Sequence, residues 1–72
     1  MANSVYKVIE LVGTSDVSWE EAVNSAVETA SKSLKNLRVA EVNKLDVTIE
    51  NGKVVAYRAR VSLSFKFKTG DA

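Results

Sequence analysis

The 72-residue sequence contains no cysteine, no histidine and no proline. The absence of cysteine excludes disulfides, thiolate metal ligands and cysteine nucleophiles. The absence of histidine removes a common zinc ligand and the commonest general base. A core this small is marginal by itself, because such a chain buries only about 60% of its unfolded surface. Self-association and an oxygen-ligated cation are the reinforcements that remain.

Long apolar runs are also missing, and no segment approaches the roughly 20 residues of a membrane-spanning helix. Residues 1–10 lack the basic start and apolar run of a signal peptide. The net charge is +1, which gives no reason to expect a nucleic-acid partner. We therefore expect a cytoplasmic protein with no membrane or nucleic-acid partner. Because 46% of the residues are hydrophobic, we expect one globular domain over residues 1–72.

The first half of the chain predicts a strand followed by a helix. Residues 6–12 are β-branched and roughly alternating, so they predict a strand that ends at Gly13. Ser18 and Glu21 have the spacing of a capping box, which predicts a helix from Trp19 to about Lys35. One side of that helix is apolar at the three-and-four spacing of a buried stripe. The stripe consists of Ala22, Val23, Ala26, Val27, Ala30 and Leu34.

Trp19, the sole tryptophan, lies at the first helical position and continues the apolar stripe. One interpretation is that it packs as a lid over the start of the helix. The other is that it forms a stacking platform for a ligand. No second aromatic residue lies close to it in sequence, which favours packing.

The second half changes to the two-residue period of strands. Residues 45–49 alternate apolar and polar, and Asn51-Gly52 is the strongest short-range signal for a hairpin. The apolar residues of the preceding segment, which begins at Val39, have the opposite parity, so we expect a bulge near Asn43 and Lys44. The return strand has an apolar and a polar side. Its apolar side is Tyr57, Ala59, Val61, Leu63, Phe65 and Phe67.

The order strand, helix, strand, strand predicts an α+β fold, with a three-stranded antiparallel sheet and one helix on one face. A strand of about 12 residues is about 40 Å long. A helix of about 17 residues is about 26 Å long. The helix therefore cannot cover the whole hairpin, and we expect the uncovered apolar surface to be buried by other copies of the chain.

Several segments together resemble the dodecin family, from Val5 to Lys68. They are "VYKVIELVGTS", the capped helix, "LRVAEV" and a long hairpin that ends in "VSLSFKFK". Dodecins are β-α-β-β subunits that assemble into hollow shells of twelve copies. The resemblance therefore implies a homododecamer that stores or protects a small ligand, and not an enzyme. Ser62 and Ser64 have no base near them in sequence, so a hydrolase has no support either.

Many dodecins bind FMN or riboflavin at two-fold interfaces, and the resemblance identifies the corresponding positions here. The stacking tryptophan of those members is replaced by Val39, and the glutamine that contacts the ring edge is replaced by Arg58. Valine has no π face, and arginine cannot accept a hydrogen bond. Lys66 corresponds to a basic residue that contacts the FMN phosphate, whereas Asp46 replaces another. We expect weak or absent flavin binding.

The "SW" before the helix and the "RVA" of the second strand resemble calcium-binding dodecins that lack flavin. Calcium takes six to eight oxygen ligands, preferably including carboxylates. The candidate ligands are Asp16, Glu41 and Asp46, which would have to combine between subunits. Three functions therefore stay open: a calcium or small-ligand shell, a flavin-storage dodecin in which Arg58 takes over the ring contact, and a purely structural assembly.

The polar side of the return strand is basic, with Arg58, Arg60, Lys66 and Lys68. Pairing with acidic residues on neighbouring strands accounts for it, and we favour that interpretation. The acidic residues are Glu10, Glu41, Asp46 and Glu50. The alternative is a surface that binds an anion or the phosphate of a cofactor.

Overall fold

A computed structural model describes residues 4–67. The elements are β1 (Tyr6–Ser15), α1 (Trp19–Ser31), β2 (Leu37–Glu50) and β3 (Lys53–Lys66). They form one three-stranded sheet in the order β1-β3-β2. Both neighbouring pairs are antiparallel. The predicted β-α-β-β order and the antiparallel sheet with one helix are confirmed.

Strand β1 does not end at Gly13, and that prediction is wrong. Gly13 is buried within the strand and pairs with Ala59 of β3. A Cβ atom on Gly13 would collide with the backbone carbonyl oxygen of Ala22 and lie 3.1 Å from the Cβ of Ala26. The glycine is therefore required because α1 packs directly on the strand, and not because the chain turns there.

Helix α1 begins as predicted but ends earlier. Ser18 is the N-cap, and its Oγ accepts a hydrogen bond from the backbone amide of Glu21 at 3.0 Å. The helix ends at Ser31, so the predicted continuation to Lys35 is wrong. The amides of Ser33 and Leu34 both donate to the carbonyl of Ala30, which tightens the last turn. Asn36 has a φ of 65°, a left-handed conformation that takes the chain into β2.

Strand β2 begins at Leu37, two residues before the predicted start at Val39. The predicted bulge is confirmed, because the pairing with β3 shifts between Val42 and Lys44. The predicted hairpin turn is also confirmed. Asn51 and Gly52 have φ values of 53° and 74°, as a two-residue turn of the I′ type requires.

The core lies between α1 and the middle of the sheet. The helix contributes three alanines, Ala22, Ala26 and Ala30, which are at most 6% exposed. They pack against three buried residues of β3: Ala59, Val61 and Leu63. The predicted apolar side of β3 is thereby confirmed as the side that faces the helix. Small helical side chains allow the helix and the sheet to approach closely.

The molecule is elongated, with extents of 55 × 20 × 14 Å and a radius of gyration of 15.0 Å. A compact chain of this length would have a radius of gyration of about 11 Å. The 13 residues of α1 cover about 20 Å, so the β2–β3 hairpin extends well beyond the helix. Apolar side chains on the hairpin are consequently exposed: Val42, Leu45, Ile49, Val54 and Val55. Within residues 4–67 no helix has the length and apolar character needed to cross a membrane.

Candidate functional site on the outer face of the sheet

The sheet has a second surface, here called the outer face, which points away from α1. Because side chains alternate along a strand, the buried odd-numbered residues of β3 leave the even-numbered ones on the outer face. The pairing with β1 and β2 then defines three successive rungs across this face. The rungs are Glu10–Ser62–Glu41, Val12–Arg60–Lys44 and Thr14–Arg58–Asp46.

Arg58 and Asp46 form a two-pronged ion pair on the third rung. The Nε of Arg58 donates to Oδ1 of Asp46 at 2.7 Å, and Nη2 donates to Oδ2 at 3.1 Å. Each side chain is 43% exposed. It is the one ion pair among residues 4–67, so the predicted pairing of the basic surface is confirmed for Arg58 but does not extend to Arg60 or Lys66. Lys68 lies outside the described residues.

The pair has a clear electrostatic consequence. The hydrogen bond from Arg58 lowers the pKa of the Asp46 carboxyl group, and partial removal from water opposes that effect. The positive charges of Arg58, Arg60 and Lys44 lower the same pKa further. In return, the hydrogen bond to Asp46 raises the pKa of Arg58. The carboxylate of Asp46 therefore lies in a region of positive potential.

Trp19 lies on the other side of the sheet and supports the same rung. Its indole Nε1 donates to the backbone carbonyl of Asp46 at 3.0 Å. Its ring meets the ring of Tyr57 edge-on, with centroids 5.2 Å apart and planes at 78°. These contacts within the chain favour the packing interpretation of Trp19. Its aromatic partner was not recognisable in the sequence, because Tyr57 comes close only through the fold.

The three positions implied for flavin are not brought together within one chain. Val39 is 57% exposed on β2 and pairs with Ser64 of β3. Lys66 lies two residues after Ser64 on the same side of β3. Arg58 lies six residues before Ser64, a distance of about 20 Å along the strand. Val39 also lines a shallow pocket that contains no aromatic ring. The pocket residues are Val27, Leu37, Arg38, Val39, Ala40 and Leu63.

The three candidate calcium ligands are also separated. Asp16 lies in the turn after β1, while Glu41 and Asp46 lie on different rungs of the outer face. In the part of the chain that the structure describes, no three acidic side chains are close enough to hold a metal ion. Glu10, which was not among the predicted ligands, flanks Ser62 on the side opposite Glu41. Only the strand register reveals that arrangement.

Comparison with known proteins identifies the family. A family model described as Dodecin matches residues 5–68. The calcium dodecin of Mycobacterium tuberculosis is 42% identical over 65 residues, which are 90% of this chain and 92% of that protein. A crystal structure of the M. tuberculosis calcium dodecin, described as having a novel calcium-binding site, superposes with a TM-score of 0.80 and 43% identity, covering 93% of this chain and 96% of that one.

A second solved structure has the same fold. The dodecin of Streptomyces coelicolor superposes with a TM-score of 0.91 at 36% identity. The match covers 97% of this chain and all 100% of that one. The sequence, the order of the elements and the fold of the chain thus lead to the same conclusion. The chain belongs to the dodecin family.

Proposed function

We propose that the chain is the subunit of a dodecin-type shell of twelve copies, which binds calcium or another small ligand between subunits and holds flavin weakly or not at all. The observation that carries this proposal concerns the two positions at which flavin-binding dodecins are expected to contact the flavin ring. Val39 offers no π surface, and the guanidinium of Arg58 is already bound to Asp46. Dodecins are binding or storage proteins and are not known as enzymes.

Two features favour calcium as the ligand. The similarity to the calcium dodecin is high over most of the chain. Carboxylates also lie on exposed surface: Glu41 has no cation within 4.0 Å among residues 4–67, whereas Asp46 would have to leave Arg58. Because calcium needs six to eight oxygens, we infer that Asp16, Glu41 and Asp46 act with their counterparts from other subunits.

The uncovered hairpin favours assembly. A groove of about 300 Å³ separates the start of α1 from β2, and apolar side chains line most of it. The residues are Trp19, Glu20, Val23, Val42 and Leu45. A monomer would leave this surface in water. In a shell, neighbouring copies would bury it and bring distant carboxylates together.

Calorimetry with calcium tests the ligand. After chelator treatment, we expect the assembled protein to release or absorb heat on titration with calcium chloride. Glu41→Gln should weaken binding about tenfold or more, since a charged oxygen ligand is lost. Glu28→Gln removes an equal charge from an exposed helical position and serves as the control.

Riboflavin fluorescence tests whether the protein binds flavin. We expect micromolar protein to leave the emission of added riboflavin unquenched. Strong quenching, or a yellow protein after purification, would instead identify a flavin-storage dodecin in which Arg58 contacts the ring. No heat with calcium and no quenching would leave a structural assembly as the function.

A further inference from the structure

The turn between β2 and β3 carries an asparagine followed directly by a glycine, and both residues are exposed. Asn51 and Gly52 have φ values of 53° and 74°. A Cβ atom on Gly52 would meet nothing within 4 Å, so the space around the turn is open. The side-chain amide of Asn51 is thus followed in the chain by a backbone nitrogen that no neighbouring group crowds.

Within residues 4–67, the backbone amide of Gly52 donates to no backbone carbonyl. The pairing of β2 with β3 ends at Glu50 and Lys53, on either side of the turn. Amides inside a helix or a strand ladder are bonded to carbonyl oxygens, and that bond would have to break before the nitrogen could react. The nitrogen of Gly52 does not face this barrier.

The tip of the hairpin is held by few buried contacts. The pairing shifts between Thr48 and Ile49, so the ladder is irregular just before the turn. Ile49 and Val54, which pair beside the turn, are 62% and 50% exposed. Segments with few buried contacts open locally at a low cost in free energy. The turn can therefore rotate its backbone without unfolding the rest of the chain.

We propose that Asn51 is a site of spontaneous deamidation in the folded protein. The backbone nitrogen of Gly52 gives its proton to a solvent base and bonds to Cγ of Asn51. The bond from Cγ to Nδ2 breaks, and ammonia leaves with a proton from water. Water then opens the cyclic imide: attack at Cγ leaves aspartate at position 51, and attack at the main-chain carbonyl carbon leaves isoaspartate. Glycine permits the closure because it has no Cβ to hinder the approach of its nitrogen.

The two products affect the hairpin differently. Aspartate before glycine favours the same I′ turn, so this product keeps the hairpin and adds a carboxylate next to Glu50. The net charge of the chain then changes from +1 to 0, because a neutral amide becomes an anion. Isoaspartate adds one carbon to the main chain, which changes the length of a two-residue turn. This inference goes beyond the proposed function, since the reaction needs neither calcium nor flavin.

Peptide mapping of the aged wild-type protein tests the inference. The assembled protein is incubated at pH 7 and at pH 9, digested with trypsin and analysed by mass spectrometry. Cleavage after lysine and arginine places each asparagine on a different peptide, with Asn51 on residues 45–53. Asn51 should convert at least about tenfold faster than Asn24, Asn36 or Asn43, which corresponds to a barrier lower by about 1.4 kcal/mol. The rate should rise with pH, because the nitrogen of Gly52 must lose its proton.

The three other described asparagines are internal controls. Asn24 lies within α1, where the backbone amides are bonded along the helix. The side chain of Asn43 donates to Oγ of Ser62 at 2.7 Å. Asn36 has a left-handed φ of 65°, as Asn51 does, but is followed by Leu37. Asn36 therefore separates the effect of the glycine from that of the backbone conformation.

The same mapping on the urea-unfolded chain separates the folded turn from the Asn-Gly dipeptide itself. Because the turn opens at low cost, Asn51 should convert in the folded protein at a rate within about tenfold of that in urea. If the folded protein kept the amide of Asn51 while the unfolded chain lost it, the turn or a neighbouring copy would protect the site, and the inference would be overturned. Conversion at Asn51 no faster than at Asn36 in the folded protein would overturn it as well.

Discussion

At the scale of single residues, Asp46 joins the two faces of the sheet. Its side chain binds Arg58 on the outer face, and its backbone carbonyl accepts a hydrogen bond from Trp19 on the helix side. A change at Asp46 should therefore affect the outer surface and the start of α1 together.

The pKa shift of Asp46 predicts a pH dependence of stability. Folding lowers the pKa of Asp46, so its contribution is complete at pH values above the unfolded pKa of about 4 and is lost as the pH falls through the folded pKa. Urea unfolding at fixed protein concentration should show the wild-type protein to be more stable than Asp46→Asn at pH 7. The difference should shrink as the pH falls from 4 toward 2.

Arg58→Gln provides the control, because it leaves Asp46 in place but removes the largest cause of its pKa shift. The free energy of unfolding of Arg58→Gln should depend on pH in the same way as that of Asp46→Asn. A stability difference between the wild-type protein and Asp46→Asn that stayed constant from pH 7 to pH 2 would contradict the prediction.

The candidate site was predictable in part at this scale. The resemblance implied that Val39 and Arg58 replace ring-contacting residues, and that assignment stays a prediction. The partner of Arg58 was one of four acidic residues that the sequence offered. Asp46 could not be singled out from them, because the choice depends on the register of β2 against β3, which a bulge shifts.

At the scale of elements, the contact between α1 and β1 depends on the absence of a side chain at Gly13. Gly13→Ala should lower the free energy of unfolding by about 3 kcal/mol or more, since the added methyl group meets the backbone of Ala22 and cannot move aside. Chemical denaturation measures the loss.

Gly52→Ala is the matched control at the hairpin turn. A Cβ atom there meets nothing within 4 Å, and the cost arises from the left-handed φ of 74° alone, about 1–2 kcal/mol. If Gly13→Ala lowered the free energy of unfolding by no more than Gly52→Ala does, the close packing of α1 on β1 would be contradicted.

The elements themselves were predictable where the signal is local. The capping box at Ser18 and the Asn51-Gly52 turn involve neighbours in sequence, and both are confirmed. The ends of β1 and α1 were predicted wrongly because tertiary contacts determine them. Gly13 resembles a strand terminator until the helix above it is known, and Lys35 follows the helical pattern although the chain has already turned toward β2.

At the scale of the whole molecule, the elongated shape leaves apolar side chains of the hairpin exposed. Leu45 is 48% exposed beside Trp19 and Val42 in the groove on the helix side. If a second copy covers this groove, Leu45→Lys would bury an unpaired charge in the interface. Sedimentation velocity at micromolar concentration should then show a species smaller than that of the wild-type protein.

Asn24→Lys adds an equal charge at an exposed helical position and should sediment like the wild-type protein. A wild-type chain that was folded and monomeric at this concentration would contradict the assembly, and a Leu45→Lys variant of unchanged size would contradict the role of the groove.

The bond from Trp19 to Asp46 also gives the molecule an intrinsic optical reporter. Because the sequence contains one tryptophan, the tryptophan emission of the chain comes from a single place, where the indole touches the backbone of Asp46 and the ring of Tyr57. Because the indole binds the backbone of Asp46, we expect a displacement of the Asp46 side chain on the outer face to change the emission of that indole. Occupancy of the outer face can then be followed in unlabelled protein by its own ultraviolet emission.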